Sequence, residues 1–236
     1  MLANFRKSDG IILGGIGAGL LFYIIGEQIF SSSTITGTFI LYSCLFHWGL
    51  AILLFLYARI VEKNKLLMWQ EKSYAFLYYL VTVIVLYLLC LACGIVSFIP
   101  RLFGWHENSA GRILVETTLS RNMPLLVFAA VTAGVTEELI FRAYLVPRFQ
   151  LLFSNKFAAV TISALMFSAA HYRYHSLMQF IGAFGIGVVF AIHYQKYRNI
   201  KMLMIAHALV DLIAFLSFWL LHVKLHLPLK EARMLF

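Results

Sequence analysis

Charge is scarce in this chain. Aspartate, glutamate, lysine and arginine make up 12% of its 236 residues, and 62% are hydrophobic. A soluble domain is about a quarter charged, so this composition points to lipid as the solvent and excludes an ordinary water-soluble core. Cysteine is scarce too. Cys44, Cys90 and Cys93 all lie in apolar runs, which excludes a disulfide framework. The C-x-x-C at 90–93 has no second pair and reads as small buried residues rather than a redox or zinc centre. Acidic residues are few, and the net charge is +9. The basic residues are nevertheless scattered between hydrophobic runs and form no single patch. Positive-inside topology accounts for them, and nucleic-acid binding is not indicated. No internal repeat and no low-complexity tract is present. No small-residue cleavage site follows the first apolar run, so that run is expected to be a retained first helix. The length gives a single membrane domain over 1–236, with no room for a separate soluble enzyme.

Long hydrophobic runs are what the chain has instead. A bilayer is crossed by about 20 apolar residues, and seven runs qualify: 11–30, 39–61, 74–99, 124–146, 157–172, 177–195 and 202–222. The expected fold is all-α, a polytopic transmembrane bundle of about seven membrane helices. The fifth run is the shortest. The 31–38 loop is uncharged and rich in Ser, Thr and Gly. The 62–73 stretch is charged and mildly amphipathic, so it is expected at the membrane interface. The 100–123 connector, bracketed by Pro100 and Pro124, has room for a short interfacial helix. With the N-terminus cytoplasmic, that side collects Arg6, Lys7, Arg59, Lys63, Lys65, Lys72, Arg148, Lys156, Lys196, Arg198 and Lys201. The far side collects fewer: Arg101, Arg112, Arg121, Arg173, Lys224, Lys230 and Arg233. The bias favours a cytoplasmic N-terminus.

Three motifs interrupt the apolar spans. Span four contains Glu137, Glu138 and Arg142. Each ionised group at a bilayer centre costs about 2.5–3.5 kcal/mol, so the three are expected to face the protein interior or a hydrated cavity. Glu138 and Arg142, at i and i+4, share a helix face and can pair. Glu137 is rotated by about 100° and lacks that partner, which leaves it available for proton transfer. A buried network that only fixes helix packing is the other reading. Span five ends with Phe167 and His171 on one face, and the following Tyr172, Arg173, Tyr174 and His175 look like a membrane boundary. Span seven carries His207 and Asp211, again at i and i+4, where a carboxylate can orient an imidazole. Span six carries Gly182, Gly185 and Gly187 and reads as a packing helix that draws spans five and seven together. His47, His106, His193, His222 and His226 are read as structural.

The three motifs in order, E-E-x-x-x-R, F-x-x-x-H and H-x-x-x-D, resemble those of the CPBP family, the CAAX proteases and bacteriocin-processing (Abi) enzymes. The resemblance covers about residues 124–215, the expected catalytic core. It implies an intramembrane endopeptidase acting on a membrane-associated protein or peptide in the lipid bilayer, in a prokaryotic inner membrane. Glu137 and His171 would activate the attacking water, and His207 with Asp211 would hold the oxyanion. Glu138, Arg142 and Phe167 would support them. Asp at 211 raises a question, because an ionised carboxylate cannot donate a hydrogen bond. It is protonated, or it orients His207, or it ligates a metal. Zinc on Glu137, His171, His207 and Asp211 is the metal alternative. No H-E-x-x-H motif is present, and a metal-free glutamic mechanism is the favoured expectation. A non-proteolytic immunity or scaffold protein and a small proton-coupled transporter are the alternative functions.

Depth along the helices does not match at first sight. At 1.5 Å per residue, Glu137 lies roughly 13–15 Å, His207 roughly 9 Å and His171 about 20 Å from the cytoplasmic ends of their spans. Span five must start later, tilt or extend into the cytoplasm for the three to meet.

Overall fold

Polar residues at the starts of the apolar runs set the helix boundaries. Thr36, Asn122, Asn155, Ser176 and Asn199 each accept a hydrogen bond from a backbone N–H two or three residues on, the N-cap arrangement that satisfies otherwise orphaned donors. The computed structural model describes residues 7–31, 34–106 and 110–226. Arg6, Lys230 and Arg233 of the charge pattern and Ser32 and Ser33 of the 31–38 loop lie outside the described residues, as do the side chains of Lys7 and Arg173.

The described residues form helices and no strand: α1 (Lys7–Ser31), α2 (Gly37–Ile60), α3 (Phe76–Ser97), the short α4 (Ile99–Leu102), α5 (Ala110–Ser120) and α6 (Met123–Glu137). A π-helical segment (Glu138–Leu145) and α7 (Val146–Phe153) continue α6. There follow α8 (Lys156–Ala169), a 3-10 turn (Tyr172–Tyr174), α9 (Leu177–Tyr197) and α10 (Ile200–Phe218) with a terminal π segment (Trp219–Lys224). Among the described residues six helices are long and apolar enough to cross a membrane. The chain is an integral membrane protein.

The fifth expected span is the exception. α8 has 14 residues, about 21 Å at 1.5 Å per residue, too short for a hydrocarbon core about 30 Å thick. Asn155 fixes its start, and the chain leaves the helix at Ala170 for the 3-10 turn. The described bundle thus has six spans and one short apolar helix, close to the seven expected. The 100–123 connector does hold a short helix, α5.

The continuous helix 123–153 is the centre of the bundle, with 50% of its most apolar window buried, more than any other span. Its middle widens to π turns: the N–H of Val146 bonds back to Phe141, five residues earlier. Pro147 follows directly and has no N–H for the carbonyl of residue 143, so the ladder is adjusted where it must skip a donor. Ser163 on α8 donates to the carbonyl of Phe141 at 2.8 Å. Such π insertions concentrate at functional sites.

α10 lies against α6 at very close range. A Cβ added to Gly134 would stand 2.6 Å from the backbone nitrogen of Ala208, so glycine at 134 is what lets the two helices touch. The glycines of α9 do a different job from the one expected. A Cβ on Gly185 would meet Cys93 Sγ of α3 at 2.9 Å, and one on Gly187 would meet Ala164 of α8 at 3.0 Å. α9 therefore packs mainly on α8 and α3, and barely touches α10. The small residues face the first two, and α9 meets α10 through larger side chains such as Phe190.

The 61–75 segment is an irregular strap whose charges are used one by one. Glu62 accepts from Tyr144 Oη at 2.8 Å and from Arg148 Nε at 3.0 Å. Glu71 accepts from Tyr194 Oη at 2.9 Å and from the backbone N–H of Ile200 at 2.8 Å, at the first turn of α10. Asn199 donates to Lys72 O and Tyr79 Oη at 2.6 Å. One strap thus ties the π-helical segment and α7 to the start of α10.

Candidate active site

Glu137 and Glu138 sit at the junction of α6 and the π segment. Glu138 is fully buried and Arg142 is 1% exposed. The Arg142 Nη1 donates to Glu138 Oε1 at 2.7 Å, the i,i+4 pair expected from spacing. The guanidinium lies over the Phe167 ring, 4.2 Å from its centroid, and 5.4 Å from that of Phe190, so cation–π contact replaces part of its lost hydration.

His207 reaches this pair from α10. Its Nδ1 lies 2.7 Å from Glu138 Oε1, and because a carboxylate only accepts, Nδ1 carries the donated proton. Its Nε2 faces Glu137 Oε2 at 3.8 Å and Asp211 Oδ2 at 3.7 Å. Both are ion contacts too long to be hydrogen bonds. Glu138, on another helix, therefore orients the imidazole. Asp211, one turn away on the same helix, does so only weakly. The side chains of Glu137 and Asp211 are 16% and 27% exposed. They form the open side of the cluster, while Glu138 and Arg142 form its floor. Glu137 Oε2 is buried and has no hydrogen-bond partner.

His171 approaches from the end of α8. Its Nδ1 donates to Phe167 O at 2.9 Å, which leaves Nε2 as the acceptor. It forms no ion pair with any described carboxylate, although it feels the charges of Glu137 and His207. Burial lowers its pKa below 6.5, so it is neutral near pH 7. Phe167 links it to the rest: that ring is 4.9 Å from His171 and 6.0 Å from His207.

Three features escaped the sequence reading. Tyr174, taken there as part of a membrane boundary, has its ring 6.1 Å from that of His171. Phe190, on a helix assigned no part in the site, walls His207 with a ring separation of 5.9 Å. An apolar cavity of about 180 Å³, lined by Ile16, Tyr23, Leu54, Ile140, Phe141 and Met166 among others, lies behind the site. It shares Phe141, whose ring packs on Phe167 at 5.2 Å. His193 packs its ring on Tyr197, with centroids 4.6 Å apart. His47 bonds its own helix at Ser43 O, 2.7 Å away, and His222 packs on Phe218.

Among the described residues no group of three His, Cys, Asp or Glu side chains is arranged to hold a metal ion. His171 Nδ1 is committed to Phe167 O and His207 Nδ1 to Glu138, so Nε2 is the ring nitrogen of each that is left for water, substrate or a metal.

Fold and site define a polytopic helical membrane protein with a buried carboxylate–imidazole centre. Residues 119–213 match the family model of the Rce1-like type II CAAX prenyl endopeptidases. The match spans α6 to α10 and contains Glu137, Glu138, Arg142, Phe167, His171, His207 and Asp211. The family indicated by the three motifs and the family whose model matches agree. No curated protein and no solved structure matches the chain. The matched residues lie within the membrane bundle.

Proposed function

We propose that the protein is an intramembrane endopeptidase of the glutamic type, hydrolysing a peptide bond in a membrane-associated protein or peptide. The observation that carries this reading is the single cluster in which His207 meets Glu138, Glu137 and Asp211 within 4 Å, in otherwise apolar helices. An unpaired carboxylate oxygen on Glu137 and an acceptor Nε2 on His171 are the two bases of the site. A water between them loses its proton to Glu137 while its oxygen attacks the scissile carbonyl. The oxyanion takes a hydrogen bond from Nε2–H of His207, whose Nδ1–H is fixed by Glu138. Glu137 then returns the proton to the leaving amine. Arg142 offsets the charge of Glu138 and keeps the π segment seated.

The apolar cavity beside Phe141 suits a hydrocarbon group on a lipid-anchored substrate. The test is cleavage of a prenylated C-terminal CAAX-type peptide by protein reconstituted in liposomes, followed by mass spectrometry, with and without a strong chelator. Cleavage unaffected by the chelator is expected. Activity abolished by chelation and restored by zinc would overturn the metal-free mechanism.

A further inference from the structure

The mechanism proposed above leaves the oxyanion with one donor. His207 Nδ1 is taken by Glu138, and Asp211, if ionised, offers no proton. Oxyanion sites are usually built from at least two preorganised donors. Arg142 has an unpartnered Nη2, but its guanidinium is 1% exposed and covered by Phe167 and Phe190, so it cannot reach a substrate.

We propose that the hydroxyl of Tyr174 is the second oxyanion donor of the active centre, acting opposite His207. Tyr174 ends the 3-10 turn that follows His171, and its backbone N–H bonds to the carbonyl of His171 at 3.1 Å. Their rings lie 6.1 Å apart at 31°, so the phenol and the second base are carried on one rigid turn. The charged groups near enough to act on its hydroxyl come from three elements: Asp211 on α10, Glu137 on α6, and Glu116 with Arg112 on α5. Burial, then these carboxylates, hold its pKa well above the usual tyrosine value. The hydroxyl stays protonated and is a neutral donor in a site otherwise crowded with acceptors. In the tetrahedral intermediate its O–H points to the developing oxyanion, and the proton stays on the tyrosine throughout.

This inference rests on the endopeptidase reading, and the experiment separates the two. Wild type, Tyr174→Phe and Glu137→Gln are compared in liposomes on the prenylated peptide. Binding of a prenylated peptide difluoroketone, which hydrates to a tetrahedral mimic, is measured alongside. Tyr174→Phe removes one oxygen atom and keeps the ring. It is expected to lower kcat by about 10²-fold with KM nearly unchanged, to weaken the difluoroketone by a similar factor, and to leave the unfolding temperature unchanged. Wild-type kcat and wild-type affinity for the difluoroketone in Tyr174→Phe, with Glu137→Gln inactive, would overturn the role of Tyr174 alone. Full activity in Glu137→Gln would overturn the endopeptidase mechanism and this role with it.

Discussion

His207 Nδ1 and Glu138 Oε1 lie 2.7 Å apart, and the same oxygen accepts from Arg142. A carboxylate on the π segment thus holds both the guanidinium of its own helix and the imidazole of α10. Neutralising it leaves Arg142 buried and uncompensated, a change that costs about 3–5 kcal/mol in buried ion pairs. Glu138→Gln is expected to lose both activity and stability. Glu137→Gln, whose carboxylate is partly exposed and bears no hydrogen bond on Oε2, is expected to lose activity while keeping its unfolding temperature. Thermal unfolding in detergent distinguishes the two. Equal destabilisation would mean that both glutamates are structural.

Gly134 sets the spacing between α6 and α10. Gly134→Ala forces a Cβ against the Ala208 backbone, which neither helix can yield to cheaply. Overpacking of this kind costs about 1–3 kcal/mol, and it withdraws His207 from Glu138. The expected result is a lower unfolding temperature together with a fall in kcat. An active, fully stable Gly134→Ala would show that the close approach is not needed.

The strap residue Glu71 accepts the first N–H of α10, at the positive end of the helix dipole. Glu71→Ala removes that acceptor and the bond from Tyr194, and the loss expected is about 1–3 kcal/mol. Hydrogen exchange at the start of α10 should rise more than at the start of α9. Uniform exchange would contradict a strap that seats α10.

The pH dependence follows from His171. Its folded pKa is lowered from 6.5 by burial, so its contribution to stability is complete above about 6.5 and is lost as pH falls through the lower folded value. Its Nε2 likewise stops accepting protons only below 6.5. The acid limb of kcat/KM assigned to His171 is therefore expected below 6.5, and stability should fall over the same range. His171→Gln should remove that component of both profiles. An acid limb above 6.5 that vanishes in His171→Gln would contradict the burial of this ring.

The bundle was legible because lipid demands long apolar runs, and only α8, the shortest run, fell below spanning length. The pairing of Glu138 with Arg142 was legible because helical spacing alone places i and i+4 together. The link from Glu138 to His207 was not, because it joins residues 69 positions apart, and no periodicity reports which helices touch. Tyr174 looked like an interfacial tyrosine, since its neighbours Tyr172, Arg173 and His175 have that composition. Only the 3-10 turn rotates it back towards His171. The strap's partners were hidden for a similar reason: Arg148 for Glu62 and Ile200 for Glu71 lie far off in the chain.

The most direct measurement is the rate at which Glu137→Gln cleaves the prenylated peptide in liposomes, set beside wild type at equal folded concentration. Loss of nearly all kcat with native unfolding temperature is the result expected if this carboxylate takes the proton from water. Turnover at the wild-type rate would contradict it, and the cluster around His207 would then be a device for packing helices.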